Sequence, residues 1–506
     1  MQTQRRAAVI GSGPNGLAAA VVLARAGVDV TVYEGAETPG GGLRTRPFGA
    51  EGAVRDVCSA VHPMVLPSPF FRALGIKERV DYAIPEISYA HAVRPGHAAI
   101  AYRDIERTAA ELGRDGAAWR NLLGPLAANI DTLLDVSLNS MLRVPRHPIL
   151  TVRFGLRVLE QAGALKNVRW RGQDAPALLS GAVAHGATKQ PSFAAAAAGL
   201  VLAAAAHGEG GWPLPLGGAQ VLADELVRDI EAHGGRVLTG RWIRSLEDLD
   251  GPRPDIVIAD TSARDLACLA GPALPESYRR ALERVPYGMG IAKIDAVLDG
   301  PVPWLDPRLG ASGTVHVGGT AAQVHAAENR TLQGQYPHRP FVLVAQPGAV
   351  DPSRAPEGRH VLWAYSHAPA GDDRDRSETL LDTLEEHAPG LRERIVHLES
   401  TTAERAGEEN PNYPGGDIAC GRLDLYRLFA RPVLAPQPWR TPTQGLYLGS
   451  AAAVPGPGVH GMSGYLAAAT ALADAGLALP REFAGMRLNG TAQPRGGAAS
   501  SSRDPA

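Results

Sequence analysis

The chain has 506 residues, more than one hydrophobic core usually serves, so two or more domains are expected. Fifty Lys and Arg stand against 52 Asp and Glu, a balance that gives no sign of nucleic acid or of an anionic surface as partner. Cys58, Cys268 and Cys420 are isolated, with no C-x-x-C, which excludes a redox disulfide of that kind and a cysteine-based zinc site, and no metal is expected.

The first element sets the frame. Ala7-Ala8-Val9-Ile10 reads as a short buried strand, followed by Gly11-Ser12-Gly13-Pro14-Asn15-Gly16, which fits G-x-G-x-x-G. Leu17 to Ala26 is an Ala/Leu helix stopped by Gly27, and Val28 to Tyr33 is a second strand ending on Glu34. In such a unit the glycines allow a tight turn, a close approach of backbone to pyrophosphate and close helix–strand packing. The phosphates sit at the helix N-terminus, where free N–H groups and the helix dipole favour negative charge. Glu34 is placed to accept from adenosine ribose hydroxyls, and its charge argues against a 2′-phosphate. Gly35 follows, and then Pro39-Gly40-Gly41-Gly42-Leu43-Arg44, a glycine run that lets a loop pass close over a longer ligand with Arg44 as a nearby cation.

Residues 55 to 75, including His62, are apolar with Pro punctuation, and short helices are expected from there to about residue 170. Phe193 to Ala206 is an Ala-rich helix, too short to span a bilayer; it suits a buried helix, a cavity wall or a membrane-surface contact. His207-Gly208-Glu209-Gly210-Gly211-Trp212-Pro213 breaks it. A helix through Ala232 and strands at Arg236–Thr239, Trp242–Leu246 and Asp255–Asp260 read as the nucleotide domain resuming. Short strands and helices fill 280–430, Gly445–Ser450 is a last strand, and an Ala-rich helix runs to Ala475. The tail 489–506 reads as disordered. No run reaches eighteen strongly apolar residues and the N-terminus leads directly into a strand, so a cytoplasmic protein with no transmembrane segment is expected, with peripheral membrane contact left open.

Gly456-Pro457-Gly458-Val459-His460-Gly461 fits G-x-G-x-x-G a second time, but no strand ending in an acid follows it. It therefore reads as a helix N-terminus closing over the same ligand from the other end of the chain, its amides aimed at the flavin. A site built from both chain ends implies an extended ligand, FAD rather than NAD.

The motifs G-S-G-P-N-G, P-G-G-G-L-R-T and L-G-S…P-G-P-G-V-H-G-M-S-G together resemble the phytoene-dehydrogenase-like FAD-dependent oxidoreductases. His207-Gly208…Trp212-Pro213 and Asn412-Tyr413-Pro414-Gly415-Gly416-Asp417 look most like the subgroup of the pyridine nucleotide-disulphide oxidoreductase domain proteins. The resemblance spans about 5 to 475. It implies an α/β fold, with a Rossmann-like FAD-binding domain of the glutathione-reductase/amine-oxidase type from 1–75, 215–275 and 440–478. An inserted α+β substrate domain would come from 76–214 and 276–439. By position it implies that Gly11, Ser12, Gly13, Pro14, Asn15 and Gly16 line the pyrophosphate and that Glu34 and Gly35 meet the ribose. Gly41, Gly42, Leu43 and Arg44 would approach the pyrophosphate and flavin, and Ile243 the adenine. Gly449, Ser450, Val459, His460, Gly461 and Met462 would meet the ribityl chain and isoalloxazine of a non-covalent FAD. Gly42 stands where amine-oxidase-like relatives usually carry arginine, which weakens an amine-oxidase reading.

Flavin supplies the redox chemistry, so no triad is needed and none is found. His62 is the candidate catalytic residue, as proton relay or gate, against the plainer reading of one core or surface histidine among fifteen. The leading expectation is hydride transfer to or from an apolar, isoprenoid- or lipid-like substrate, with oxygen, a quinone or another diffusible acceptor. A flavin amine oxidase and a non-catalytic prenyl-binding protein of the GDP-dissociation-inhibitor type are the alternatives.

Overall fold

A computed structural model describes residues 4–49 and 52–486; the tail read as disordered, 489–506, lies outside the described residues. Arg6–Ile10, Asp29–Tyr33, Arg236–Leu238, Ile256–Ala259 and Leu446–Leu448 form a five-stranded parallel sheet. Arg6–Ile10 is its centre, with Ile256–Ala259 and then Leu446–Leu448 on one side, and Asp29–Tyr33 and then Arg236–Leu238 on the other. Unbroken apolar strands suit a sheet covered on both faces. The helices Pro14–Arg25, Gln220–Ala232 and Met462–Asp474 pack together on it. Five strands drawn from three distant parts of the chain, 6–33, 236–259 and 446–448, thus carry their loops to one carboxyl edge, the place where ligands bind in open parallel sheets.

The second sheet has seven strands, in the order Ile395–Thr401, Gly290–Leu298, His360–Ala368, Val342–Ala345, Thr314–Val317, Ile87–Arg94 and His97–Tyr102. It is antiparallel except where Thr314–Val317 runs parallel to Ile87–Arg94. Helices Asp174–Ala184, Phe193–Ala205 and Pro148–Ala162 stack beside it.

Two sequence expectations are overturned. The stretch after residue 75 is not only short helices: Ile87–Arg94 and His97–Tyr102 form an antiparallel pair at the edge of the second sheet. Trp242–Leu246 is not a strand. The Asp248 carboxylate accepts from the amides of Arg244 and Ser245, both through Oδ2, so these donors are satisfied within a capping box and have no need of a ladder.

Small residues let the helices approach closely. A Cβ on Gly464 would lie 1.8 Å from the Asn15 carbonyl oxygen, so helices Pro14–Arg25 and Met462–Asp474 touch backbone to backbone. Gly464→Ala is expected to destabilise the protein by about 1–3 kcal/mol through overpacking, lowering the melting temperature in a calorimetric scan. Gly155→Ala, in helix Pro148–Ala162 with open space at the Cβ, is expected to raise it slightly.

Candidate functional site

Above the carboxyl edge of the first sheet a cavity of about 970 Å³ runs on toward the second sheet. One end is built by the glycine loop. Gly11 has φ +96°, and a Cβ there would lie 2.7 Å from the Asp260 carbonyl oxygen; one on Gly16 would lie 2.2 Å from the Gly11 oxygen. Only glycine satisfies both the left-handed turn and the close approach. Glu34 stands beside this loop. Its Oε2 accepts from the Ser12 amide at 2.9 Å and from the Ser12 hydroxyl, and its Oε1 accepts from the Ala36 amide at 2.8 Å. The indole of Trp242 covers Gly35, where a Cβ would lie 2.2 Å from the ring, and Trp242 and Ile243 both line the cavity.

Of the residues singled out from sequence, Gly11, Ser12, Gly13, Pro14, Asn15, Glu34, Gly35, Gly41, Gly42, Arg44, His62, Ile243, Ser450, Val459 and His460 line this one cavity. Gly16, Leu43, Gly449, Gly461 and Met462 do not; they stand behind the lining. The Gly16 amide donates to Asp260 Oδ2 at 2.9 Å, Leu43 is fully buried, and the Met462 amide donates to His460 Nδ1 at 3.0 Å. The first amide of the C-terminal helix is therefore capped by a histidine of its own loop.

Arg44 is buried, and among the described residues it makes no ion pair; its Nε donates to the Gly41 carbonyl at 2.9 Å. Burial first, then Arg46, lowers its pKa. A buried cation with no carboxylate in direct contact among the described residues, beside a glycine cradle, fits a dinucleotide whose pyrophosphate brings a counter-charge. Gly42 is small because the Tyr413 hydroxyl stands there: a Cβ would lie 2.7 Å from it. That hydroxyl donates to Cys58 Sγ at 3.7 Å, and burial raises the Cys58 thiol pKa.

Sequence reading did not mark Asp260 as a site residue. It ends the strand Ile256–Ala259, lies under the glycine loop and lines the cavity. Burial pushes its carboxyl up to about 7 against the pull of the Gly16 amide, and the charge of Glu34 raises it further. The Asn412 motif serves the same corner: its side chain accepts from the Ser262 amide at 2.8 Å and donates to the Asp260 carbonyl at 3.0 Å.

His62 is buried on the cavity wall. Its Nδ1 lies 3.3 Å from Ser59 Oγ, its Nε2 has no partner, and burial lowers its pKa to about 4. The imidazole is thus neutral at physiological pH. His207 and Trp212 part company. Trp212 lines the cavity and stacks on Tyr89 with ring centroids 4.7 Å apart. His207 is absent from the lining: its Nε2 accepts from Trp119 Nε1 at 2.9 Å and its Nδ1 lies 2.8 Å from the Tyr102 carbonyl, a buried structural brace.

The far end of the cavity differs in chemistry. Its floor is the second sheet, where Thr314, Ala345 and Trp363 form one row across three strands and Leu343 pairs with Tyr365 in the next. Its roof is helix Phe193–Ala205, through Phe193, Ala194, Ala197, Ala198, Val201 and Leu202. The Ala-rich helix is thus both a buried element and a cavity wall. The lining drawn from 136–212 and 314–367 contains no Asp, Glu, Lys or Arg. His367 is the closest approach to a charge, held above its ordinary pKa against burial by the Glu328 carboxylate, 2.7 Å from its Nδ1.

A family model described as flavin containing amine oxidoreductase matches residues 15–472. Among curated proteins, the rat pyridine nucleotide-disulfide oxidoreductase domain-containing protein 2 is 24% identical, with 91% of this chain and 92% of that protein covered. Among solved structures, putrescine oxidase bound to putrescine superposes with a TM-score of 0.56 at 18% identity, covering 93% of this chain and 98% of that one. Cyclohexylamine oxidase from Brevibacterium oxydans gives a TM-score of 0.54 at 16% identity, covering 94% and 99%. At such identities these two structures speak for the fold.

The Asp260 carboxyl gives the cofactor end a pH dependence. Below about pH 7 it is neutral; above, it sets a negative charge beneath the glycine loop. Cofactor affinity is therefore expected to be fully present below pH 7 and to fall about tenfold, about 1.4 kcal/mol, as pH rises through that value. Asp260→Asn should flatten the profile. Fluorescence titration of apoprotein with FAD between pH 5.5 and 8.5 measures both.

Proposed function

The chain belongs to the flavin-containing amine oxidoreductase family and its cofactor is FAD, and from that premise we propose a phytoene-dehydrogenase-like oxidoreductase whose substrate is apolar, isoprenoid- or lipid-like. The observation that carries this reading is the wall of the cavity's far end, aliphatic in its roof and without an ionised carboxylate to receive an amine. An alkylammonium substrate entering such a wall would lose its hydration with no counter-charge in return, at a cost of several kcal/mol.

FAD, when bound, supplies the hydride acceptance or donation by which the substrate is desaturated, saturated or isomerised. The chain's own residues do the rest. Gly11, Gly13, the N-terminus of helix Pro14–Arg25 and Arg44 hold the pyrophosphate, with no covalent attachment. Glu34 holds the ribose, and Ile243 with Trp242 closes over the adenine. Gly41, Gly42, Ser450, Val459 and His460 line the path beyond, with Gly16, Leu43, Gly449, Gly461 and Met462 fixing that lining from behind. The Ala-rich roof excludes water. His62 offers a neutral imidazole whose Nε2 holds or passes a proton at the cavity wall. For a desaturation, oxygen, a quinone or another diffusible acceptor would take the two electrons that leave the substrate. On this reading the FAD-binding domain is 1–75, 215–275 and 440–478, the substrate domain is 76–214 and 276–439, and the location is cytoplasmic.

The test is a visible spectrum of the purified protein before and after denaturation, followed by anaerobic bleaching. Flavin absorption released on denaturation, and bleached by isoprenoid or lipid substrates but not by simple amines, is the expected result. Peroxide production with alkylamines and no response to lipids would install the amine-oxidase reading. His62→Ala is expected to slow anaerobic bleaching about 10²-fold with the flavin still bound; unchanged bleaching would return His62 to a packing role.

A further inference from the structure

The near-neutral balance of the whole chain conceals a local segregation. Between residues 141 and 171 seven Arg and Lys stand against one acid, Glu160, in a chain whose net charge is −2. The same stretch exposes large apolar side chains: Val144 is 81%, Ile149 85% and Val168 78% exposed. Helix Pro148–Ala162 shows how. Phe154, Val158 and Gln161 point inward. At about 100° per residue, Ile149, Val152, Leu156 and Leu159 fall on the opposite side, and all four are exposed. A helix on the surface of a globular protein carries polar residues on that side. A contiguous apolar stripe there marks a face that something covers.

Two observations identify the occupant. The first is charge. A two-fold contact with a second copy would set this cationic stretch against itself, because such an interface pairs the same patch on both subunits; an anionic bilayer complements it. The second is continuity with the cavity. Met141, Phe193 and Leu425 are both exposed and part of the cavity lining, and the inner face of the helix adds Phe154 and Val158 to the same wall. The apolar patch therefore borders a mouth of the cavity. Among the described residues no helix is long and apolar enough to cross a membrane, so the contact is with the surface of the bilayer.

We propose that residues 141–171 are a docking surface for an anionic lipid bilayer, with helix Pro148–Ala162 lying in the headgroup layer and the cavity mouth turned toward the lipid. Arg143 pairs with Asp135, and Arg157 and Arg169 share Glu160, so it is Arg153, Lys166 and Arg171 that meet lipid phosphates as the outer stripe enters the acyl boundary, the arrangement of an interfacial amphipathic helix. Such attraction is screened by salt. This surface stands whatever the substrate is, since neither its charge nor its apolar stripe depends on the redox reading.

Flotation of the full-length flavin-loaded protein with vesicles tests it. Vesicles of phosphatidylcholine mixed with phosphatidylglycerol should bind about tenfold more tightly than phosphatidylcholine alone, and less as salt is raised. Ile149→Glu with Leu156→Glu should weaken binding at least about tenfold with flavin content and melting temperature retained. Arg153→Ala with Lys166→Ala should reduce the preference for anionic vesicles. Wild-type protein that floats with neither composition, or a Glu double variant that floats as wild type does, overturns the proposal. So does a wild-type dimer in sedimentation velocity that the Glu double variant dissociates while vesicles bind neither form, since a second copy would then cover the stripe.

Discussion

Everything at the cofactor end hangs on a contact between the two ends of the chain. Helix Pro14–Arg25 begins at the glycine loop, helix Met462–Asp474 begins at the loop carrying Ser450 to His460, and the two cross where Gly464 meets the Asn15 carbonyl. No side chain separates the backbones. The distance between the two helix N-termini is therefore fixed by van der Waals contact of main-chain atoms, which leaves less slack than interdigitated side chains would. Asp260 locks the strand Ile256–Ala259 to the same point through the Gly16 amide, so three segments more than 180 residues apart share one register. The cavity can run from one loop to the other only because this crossing holds them at a constant separation.

A second constraint joins this unit to the other sheet. Arg354 is fully buried, with Nη1 2.7 Å from Asp56 Oδ2 and Nε 2.7 Å from Asp351 Oδ2. Asp56 Oδ1 also accepts from Thr45 Oγ1 and the Ala219 amide, and Lys293 Nζ donates to the carbonyls of Asp56 and Val57. A buried ion pair is weak evidence of stability, since desolvation offsets its attraction. Its geometric effect is definite: with its lone pairs engaged, Asp56 has little freedom to move. Cys58 and His62 follow within six residues, so the segment bearing the buried His62 imidazole, its Nε2 unpartnered, is anchored through Lys293 to the seven-stranded sheet and through the Ala219 amide to the start of helix Gln220–Ala232.

The parts legible in sequence are those where one residue type is forced by local backbone geometry. Gly11, Gly13 and Gly16 are dictated by a turn and two close approaches within six residues, and Glu34 by the end of the next strand. The pair of strands at Ile87–Tyr102 was illegible because its partner is Thr314–Val317, more than 200 residues on, and because alanines dilute the alternation that marks a strand. Trp242–Leu246 has the apolar content of a strand, yet a capping box a few residues later takes its amide donors. Asp260 escaped notice because an acid at a strand end is common; what sets it apart is burial beneath a loop distant in sequence. His207 and Trp212 sit in one motif, and nothing in the spacing tells that one braces Trp119 while the other walls the cavity.

The cavity is asymmetric along its length, and that asymmetry orders the ligands. Glu34, Arg44 and Asp260 gather at the end of the glycine loop, while the end under helix Phe193–Ala205 has apolar, hydroxyl, indole and imidazole groups alone. A dinucleotide carries its charge at a central pyrophosphate and an uncharged ring at each tip; on the proposed reading, with the adenosine ribose at Glu34 and the phosphates at Arg44, the other ring would reach the aliphatic part of the cavity. There the lining is formed by alanine methyl groups and other apolar side chains, which offer a bound ring little hydrogen bonding. Burial acts in the same sense on His62, whose imidazole it keeps neutral, whereas His367 is held above its ordinary pKa because the Glu328 carboxylate stands beside it.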